Sequence, residues 1–409
     1  MRPAPSAAFA TLVAVLMAVT ACTPVATAPA APVATGSRPA RPSQTPTPPP
    51  TPTPTPSPRV GPAVVENVQL IASGLEAPWS VALAPDGRLF VTERPGRVRI
   101  VRLGAGGGLA SRPWATVPAR ANPDAERGLL GIALDPDFAR NGFVYLYYSY
   151  AGAGGATLNR LVRMRDTNGS GTDETILLDN IPGSSNHDGG RIAFGPDGML
   201  YVATGDGEQQ ARAQDRSSLG GKILRLNKDG SVPADNPFAG SPVYSLGHRN
   251  AQGLAFQPDT GVLYETEHGP SGFFPACCQD EVNRIEAGAN YGWPIVTGKP
   301  GDQRFRDPIA WSGSTDTWAP SGAAFATVPG PLRGSFLFAT LRAQHLHRIV
   351  FTPDGRGVAF EERLLLNQYG RLRDVHEIAT GEFLVLTSNR DGRGRPAADD
   401  DRVLLVTLR

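Results

Sequence analysis

A short pattern of alternating apolar and polar residues recurs along the chain after Ala63. In its clearest form two apolar segments flank a Pro-Asp-Gly turn, at residues 81–91 and again at residues 192–202. Proline fixes φ at the second turn position and glycine adopts a left-handed conformation, so the second segment folds back on the first. Each copy therefore predicts a β-hairpin.

Four looser copies begin at Gly131, Gly253, Gly322 and Asp374, which brings the hairpins to six. Most are followed by a further strand that carries a basic residue. A repeat of roughly 50 to 70 residues is typical of a four-stranded propeller blade with loop insertions. The pattern predicts an all-β fold, a six-bladed β-propeller of four-stranded blades, with the strand near residues 64–71 closing the ring. A pair of β-sandwiches is the alternative, but it does not explain a period of this length.

Composition agrees with a turn-rich β fold, because 47 glycines and 39 prolines are too many for a helical bundle. Lys and Arg number 39 against 38 Asp and Glu, a formal charge of +1. No surplus of positive charge is available to hold a polyanion, so nucleic acid is not an expected partner.

The residues before the propeller are predicted to be an export signal followed by a spacer. Residues 1–22 combine one charge with an apolar run too short to span a bilayer, and they end in Val-Thr-Ala-Cys22, which resembles the lipobox of bacterial lipoproteins. Cys22 is the expected lipidation site, and a plain secretory signal cut nearby is the alternative. Residues 23–62 are almost entirely Pro, Ala, Thr and Ser, which predicts a disordered spacer rather than a recognition tract for a proline-binding module.

Residues 63–409 are thus predicted to form the propeller domain of an exported protein, at the cell surface or in the periplasm. Its contact with the membrane would run through the lipid anchor alone.

Two polar segments flank the third hairpin. His187, in Asn186-His-Asp-Gly-Gly-Arg191, precedes its first strand, and Asp206 follows its second. If the two strands pair, both residues lie at the same end of the blade, where the carboxylate could orient an imidazole that accepts a proton. A structural histidine and a simple Asp-Gly turn are the alternatives.

Two further segments carry polar groups that could bind a ligand. Residues 244–253 crowd His, Arg, Asn and Gln before an apolar strand, which indicates a polar ligand. Glu267-His-Gly-Pro270 and Asp280-Glu281 offer carbonyl and carboxylate oxygens, which suit calcium and not zinc. His345 and His347 would share one strand face without a further ligand, so we interpret them as structural.

Taken in this order, the segments resemble the soluble PQQ-dependent glucose dehydrogenase and aldose sugar dehydrogenase family, and the likeness spans residues 65–409. The family fold is a six-bladed propeller. The matching motifs are Gly128-Leu-Leu-Gly131, Asp135-Pro-Asp-Phe138, His187, Gly190-Arg191, Gly205-Asp206, Gly247-His-Arg-Asn250, Asp280-Glu281 and Asn290-Tyr-Gly-Trp-Pro294.

The resemblance implies a catalytic set. His187 would take the hydroxyl proton from C1 of a sugar as its hydride passes to the C5 carbonyl of PQQ. Asp206 would support the imidazole, and Arg249 would hydrogen-bond the C5 oxygen as negative charge develops there.

The resemblance also implies the groups that bind PQQ and Ca²⁺. Carbonyls of Gly269 and Pro270 would hold a calcium that also contacts PQQ, and Glu281 with the Tyr291 carbonyl would hold a second, structural calcium. The implied cofactor-binding positions are Glu126, Asn186, Arg249, Asn250, Arg342, Arg371 and Arg373. The last two arginines would pair with carboxylates of PQQ.

Four positions depart from the family pattern. Glu126 stands in place of a Gln that contacts the cofactor, Asn186 in place of an Asp, and His268 in place of a Gln. Arg342 falls near a position occupied by Lys. A carboxylate at Glu126 that faces an anionic cofactor is costly unless calcium or an arginine compensates its charge.

Two adjacent cysteines, Cys277 and Cys278, lie in an insertion without a counterpart in the family pattern. An exported protein tends to oxidise such a pair, so a vicinal disulfide is our hypothesis and two buried thiols are the alternative.

The sequence therefore predicts PQQ- and calcium-dependent oxidation of aldose sugars at the C1 hydroxyl to lactones, with an unidentified electron acceptor. Two other functions stay open at this point. One is a non-catalytic, calcium-binding propeller at the cell surface, which Glu126 favours, and the other is a calcium-dependent propeller lactonase.

Overall fold

The computed structural model describes residues 60–104, 107–270 and 277–409. The predicted leader with Cys22 lies outside the described residues, as does most of the spacer at residues 23–62. Among the residues described, no helix is both long enough and apolar enough to cross a bilayer.

Six antiparallel sheets follow one another along the chain, and each is a meander of four strands except one, which has a fifth. The strands are β1 Val65–Ala72, β2 Pro78–Leu83, β3 Arg88–Glu93, β4 Arg97–Arg102, β5 Gly108–Leu109, β6 Ala115–Thr116, β7 Leu129–Leu134, β8 Phe143–Ala151, β9 Thr157–Thr167, β10 Ser170–Pro182, β11 Ile192–Phe194, β12 Leu200–Thr204, β13 Lys222–Leu226, β14 Val243–Leu246, β15 Ala251–Phe256, β16 Leu263–Glu267, β17 Glu281–Arg284, β18 Ala310–Trp311, β19 Pro320–Phe325, β20 Phe336–Thr340, β21 Leu346–Phe351, β22 Val358–Leu364, β23 Leu372–Ala379, β24 Glu382–Thr387 and β25 Val403–Leu408. A short helix, α1 Phe138–Asn141, and 3-10 turns at Ala153–Gly155 and Gln210–Ala213 interrupt the loops.

These sheets are the blades of a six-bladed β-propeller, as the repeat predicts. Blade 1 contains β2–β6, blade 2 β7–β10, blade 3 β11–β14, blade 4 β15–β18, blade 5 β19–β22, and blade 6 β23–β25 with β1. The inner strands β2, β7, β11, β15, β19 and β23 pack on one another in a closed ring. Each predicted hairpin supplies the first two strands of one blade, so the alternative of two β-sandwiches is wrong.

The first strand closes the ring. Strand β1 pairs antiparallel with β25, with Val65 opposite Leu408, and so becomes the outermost strand of blade 6. A blade made from both ends of the domain joins them by backbone hydrogen bonds, and the closed ring leaves only short, protected inner edges around the channel. This arrangement confirms the predicted closing strand.

The core lies between blades rather than at one centre. Six hydrophobic clusters occupy the six interfaces between neighbouring blades, and each draws residues from both. For example, Phe90 of blade 1 packs with Leu146 of blade 2, and Leu384 of blade 6 packs with Val91 of blade 1. Because every blade is held on both flanks, the loops at one end of the ring are supported by rigid strands.

Polar bonds cross the channel inside the inner strands. Arg191 Nη1 donates to Asp374 Oδ2 at 2.9 Å, and the same oxygen accepts from Val81 N at 2.9 Å. Three blades are thereby tied together beneath the face on which the candidate site lies.

Candidate active site

A cavity of about 630 Å³ lies at the end of the propeller where inner strands begin and second strands end. This size falls within the roughly 300–1,000 Å³ typical of cofactor and small-molecule sites. We call it the central cavity, and it is lined by Glu126, Asn186, His187, Asp206, Glu208, Gln210, Arg249, His268, Pro270, Trp293, Ala319, Leu341, Arg342, Arg371 and Arg393.

His187 and Asp206 meet in this cavity. His187 precedes β11 and Asp206 follows β12, and because the two strands pair antiparallel the residues return to the same end of blade 3. His187 Nδ1 lies 2.8 Å from Asp206 Oδ1. The Asp206 carboxylate is fully buried, so it fixes the proton on Nδ1 and leaves Nε2 as the basic nitrogen. No described residue bonds to Nε2.

The backbone at His187 lies unusually close to the backbone at Gly205. His187 has a positive φ of 58°, and a Cβ at Gly205 would lie 1.9 Å from the His187 carbonyl oxygen. Only glycine at position 205 permits this approach, which brings the imidazole onto the end of β12.

Trp293 completes the surroundings of Asp206. Its Nε1 donates to Asp206 Oδ2 at 2.8 Å, while Glu208 N donates to Oδ1 at 2.8 Å. Both carboxylate oxygens are therefore bound, and Asp206 is held in one orientation. The sequence singled out the motif that contains Trp293 but not this role.

Arg249 enters the cavity from the segment before β15. Its Nη1 donates to the His268 carbonyl at 3.1 Å, its backbone N donates to Glu267 Oε1 at 2.5 Å, and its guanidinium lies 5.3 Å from the centre of the Trp293 ring. Burial lowers its pKa below the ordinary value for arginine. Its buried Nε has no partner among the described residues.

Glu126 and Asn186 lie at the mouth of the cavity, and both contact Arg393. Arg393 Nη1 donates to Glu126 Oε1 and Arg393 Nη2 to Asn186 Oδ1, each at 2.7 Å. Asn250 is buried behind Glu126 and donates to its Oε2 at 3.0 Å, so it supports the wall rather than lining it.

Sequence reasoning missed Arg393, although a signal was present. The loop after β24 lies at the same end of blade 6 as Arg371, because β23 and β24 are antiparallel. That loop contains two arginines within Asp391-Gly-Arg-Gly-Arg395.

The two arginines expected to bind cofactor carboxylates differ in position. Arg371 lines the cavity, and its Nε and Nη2 both donate to Asp391 Oδ2, at 2.9 and 2.8 Å. Arg373 lies behind it with Nη1 donating to Gln252 Oε1 at 2.8 Å, and it is not among the lining residues. Burial lowers the pKa of Arg373 to about 9. Arg342 also lines the cavity.

His268 forms part of the wall as a neutral imidazole. Burial lowers its pKa to about 3, with Arg373 and Arg249 adding to the shift against the opposing effect of Glu126. Its Nε2 is buried without a described hydrogen-bond partner, as is Arg249 Nε.

The candidate calcium groups surround a small cavity adjacent to the central one. Gly269, Pro270, Glu281 and Tyr291 all line it, and Pro270 also lines the central cavity. Glu281 on β17 lies opposite Glu267 on β16. Gly298 N donates to Glu281 Oε1 at 2.9 Å, and Asn283 Nδ2 donates to its Oε2 at 3.0 Å.

Three glutamates crowd this region, of which Glu265 and Glu267 are buried and Glu281 is partly buried. Burial raises the pKa of Glu281 well above its ordinary value, with Glu267 contributing next, and burial raises the pKa of Glu265 to about 7. His248 is the one cation within 4 Å of this group in the described part of the chain, 3.0 Å from Glu267 Oε2 and 3.5 Å from Glu265 Oε1. Although burial opposes its charge, bonds to Glu265 and Glu267 raise the pKa of His248 to about 9.

This donor set fits a hard divalent cation. Carboxylates that a single imidazolium does not neutralise lie beside backbone carbonyls, the ligands that Ca²⁺ prefers. Sequence reasoning named Glu267 but missed Glu265, and the ligand atoms of these two glutamates and of His248 lie within 4.8 Å of one another.

His345 and His347 line neither of the two cavities. His345 Nε2 and His347 Nδ1 are 3.0 Å apart in a hydrogen bond, as suits structural residues. Cys277 and Cys278 are joined by a disulfide, and Gln279 separates them from Asp280.

Comparisons with known proteins agree with this geometry. Residues 75–403 match the family model for glucose / sorbosone dehydrogenases. The chain belongs to this family. It is 33% identical to the aldose sugar dehydrogenase YliI of Escherichia coli K12, over 81% of this chain and 92% of that protein.

A solved structure of the same family matches the whole propeller. The PQQ-bound form of an aldose sugar dehydrogenase from Streptomyces coelicolor superposes with a TM-score of 0.76 and 39% identity, covering 86% of this chain and 100% of that one. Quinoprotein glucose dehydrogenase B of Acinetobacter calcoaceticus is 34% identical over 58% of this chain and 54% of its own length. The chain is thus a propeller oxidoreductase of the glucose / sorbosone dehydrogenase family.

Proposed function

We propose that the protein oxidises aldose sugars at the C1 hydroxyl to lactones, with PQQ as the hydride acceptor and Ca²⁺ beside it. The observation that carries the proposal is the contact between His187 and Asp206 in the same cavity as Arg249. A base held by a buried carboxylate and a cation with an unused donor are the two groups that such an oxidation requires.

The residues fit a planar, polycarboxylate quinone. Among the described residues, four arginines line the central cavity, and two buried nitrogens in its wall, Arg249 Nε and His268 Nε2, lack partners. Guanidinium groups pair well with carboxylates. Arg371 and Arg342 would hold the carboxylates, with Arg373 behind Arg371, while Asn250 would act through Glu126. When bound there, PQQ would supply an electrophilic carbonyl as the acceptor for the hydride of C1.

His187 accepts the proton that the sugar loses. Asp206 keeps hydrogen on Nδ1, so Nε2 is free to take the proton of the C1 hydroxyl as the C1 hydrogen leaves with its electron pair. The imidazolium formed is stabilised by the buried carboxylate next to it. Arg249 places positive charge in the same cavity, where it stabilises the negative charge that develops on the acceptor oxygen.

Calcium would bind on the carbonyls of Gly269 and Pro270, and a second ion on Glu281 and the Tyr291 carbonyl. What supports this part is the excess of buried carboxylates described above, which a divalent cation would neutralise. A calcium ion next to the central cavity would also help to offset the negative charge of the cofactor.

A steady-state assay tests the function. The full chain, incubated with PQQ and Ca²⁺, should reduce an artificial electron acceptor when any of a panel of aldoses is added, and not when the sugar is omitted. Absence of reduction with every aldose, despite measured PQQ binding, would contradict the proposal. The electron acceptor used in the cell is a separate partner that the protein must also reach.

We also propose export and lipid anchoring through Cys22, on the strength of the leader sequence alone. Cys22→Ala should move the protein from a detergent-soluble membrane fraction to the soluble fraction. Unchanged membrane association of that variant would contradict the anchor.

A further inference from the structure

Arg393 joins three loops across the mouth of the central cavity. It extends from the segment after β24, Glu126 precedes β7, and Asn186 precedes β11, so one side chain links blades 6, 2 and 3. The Arg393 side chain is 42% exposed and that of Glu126 16%. The ion pair therefore lies at the boundary between solvent and cavity.

The loop that carries Arg393 is fixed against the loop that carries Glu126. Gly392 has a φ of 86°, and a Cβ there would lie 2.1 Å from the Pro123 carbonyl oxygen. Arg94 donates to the carbonyls of both loops, at Ala125 and, at 3.1 Å, at Asp391. Asp391 Oδ1 in turn accepts from Arg393 N at 3.0 Å. The ion pair between Arg393 and Glu126 thus lies between two loops that further hydrogen bonds hold in place, unlike an isolated ion pair on the surface.

Glu126 is equally fixed on its other side. Its Oε2 accepts from His187 N at 3.2 Å and from Asn250 Nδ2 at 3.0 Å. Burial opposes its ionisation, but positive charge from His268 when protonated, from Arg393 and from His187 lowers its pKa below the ordinary value. Arg393 is the guanidinium in direct contact with this carboxylate, and a guanidinium stays charged at neutral pH.

An ionised carboxylate beside the base opposes any anionic ligand. Among the described residues, the lining holds four arginines against three carboxylates, Glu126, Asp206 and Glu208. Loss of the charge on Arg393 would leave equal numbers of the two signs, and Glu126 would face a polycarboxylate cofactor without compensation.

We propose that Arg393 is a positioning residue that sets the affinity of the central cavity for its anionic cofactor by neutralising Glu126. It acts through Glu126 and not by contact with the cofactor. The inference rests on the proposed function, because PQQ supplies the anion.

A double-mutant cycle tests it. Dissociation constants of PQQ are measured by tryptophan fluorescence quenching at fixed Ca²⁺ and ionic strength for the full chain and for Arg393→Gln, Glu126→Gln, the double variant and Arg393→Lys. Arg393→Gln should weaken binding about 10-fold or more, and the double variant should bind within about threefold of Glu126→Gln. Arg393→Lys, which keeps the charge, should stay near the unmodified chain.

The control is Arg140→Gln, since that side chain is 79% exposed and pairs with Asp137 away from the cavity. Its affinity should not change. If Arg393→Gln does not fold, the comparison of Glu126→Gln with the double variant decides: equal affinities support the inference.

Two results would overturn the inference alone: an unaltered affinity in Arg393→Gln, or a double variant as weak as Arg393→Gln. The second would mean that Arg393 contacts the ligand itself. Failure of the unmodified chain to bind PQQ would instead overturn the proposed function, and the inference with it.

Discussion

The indole of Trp293 and the carboxylate of Asp206 are joined by a hydrogen bond of 2.8 Å, on the oxygen that His187 does not use. The same indole ring lies under the guanidinium of Arg249 at 5.3 Å. Trp293 thus contacts both Asp206, which orients the base, and Arg249. A substitution at Trp293 therefore alters the surroundings of both side chains.

Trp293→Phe should lower kcat about 10-fold while PQQ affinity changes little. The ring remains under Arg249, but Asp206 loses one hydrogen bond, worth on the order of 1 kcal/mol, and with it part of its fixed orientation. Steady-state kinetics with a matched control, Trp318→Phe, would show this, because the buried Nε1 of Trp318 has no described partner to lose. Equal effects of the two substitutions would contradict the role of Trp293.

His187→Asn should lower kcat about 10²- to 10⁴-fold, the usual contribution of a general base. Asparagine tolerates the positive φ of 58° at this position, so the loop should keep its conformation. PQQ affinity, measured by fluorescence quenching, should stay within a few-fold of the unmodified chain. Normal turnover of the variant would show that His187 is not the base.

Asp188 should make the protein less stable as the pH rises. Burial raises its pKa to about 8, against bonds from Asn159 and Ser184 that lower it, and its Oδ2 is buried without a described partner. The folded protein therefore keeps a proton that the unfolded chain has released, and the resulting stability is complete below about pH 4 and lost as the pH approaches 8.

Asp188→Asn removes this titration while keeping an oxygen that can accept the same two bonds. Between pH 5 and 7.5 the unmodified chain should lose up to about 1.4 kcal/mol of unfolding free energy per pH unit more than the variant. Urea unfolding at several pH values measures the difference. Parallel pH curves would mean that Asp188 is ionised in the folded state.

Calcium should stabilise the chelator-treated protein through Glu281. An ion present at 100 times its dissociation constant adds about 2.7 kcal/mol, which should raise Tm by several degrees. Glu281→Gln should lose most of this gain, whereas Glu382→Gln, at the opposite end of a blade, should keep it. An equal response to calcium in both variants would contradict the assignment of Glu281.

The fold was predictable because its signal is local and repeated. Each blade begins with a hairpin that its turn residues and alternation specify, as between Val81 and Val91, which do lie opposite each other. The closing strand was predictable for the same reason, as an apolar segment before the first hairpin. The identity of its partner, β25, depends on ring closure and follows only once six blades are counted.

The candidate site was predictable only where partners share a hairpin or a motif. His187 and Asp206 lie at the two ends of one hairpin, so strand pairing alone brings them together. Arg393 and Glu126 are 267 residues apart and meet only because the ring places blade 6 near blade 2. The burial of Arg373 behind Arg371 also depends on packing that no local pattern encodes.

The most direct test of the central claim is an anaerobic single turnover with an aldose deuterated at C1. The chain loaded with PQQ and Ca²⁺ should reduce its bound cofactor in one exponential step and release the lactone, with a slower step for the C1-deuterated sugar than for the unlabelled one. His187→Asn should bind the same cofactor and fail to reduce it at a comparable rate. A cofactor that stays oxidised with every aldose, or one reduced equally fast by the variant, would contradict the account.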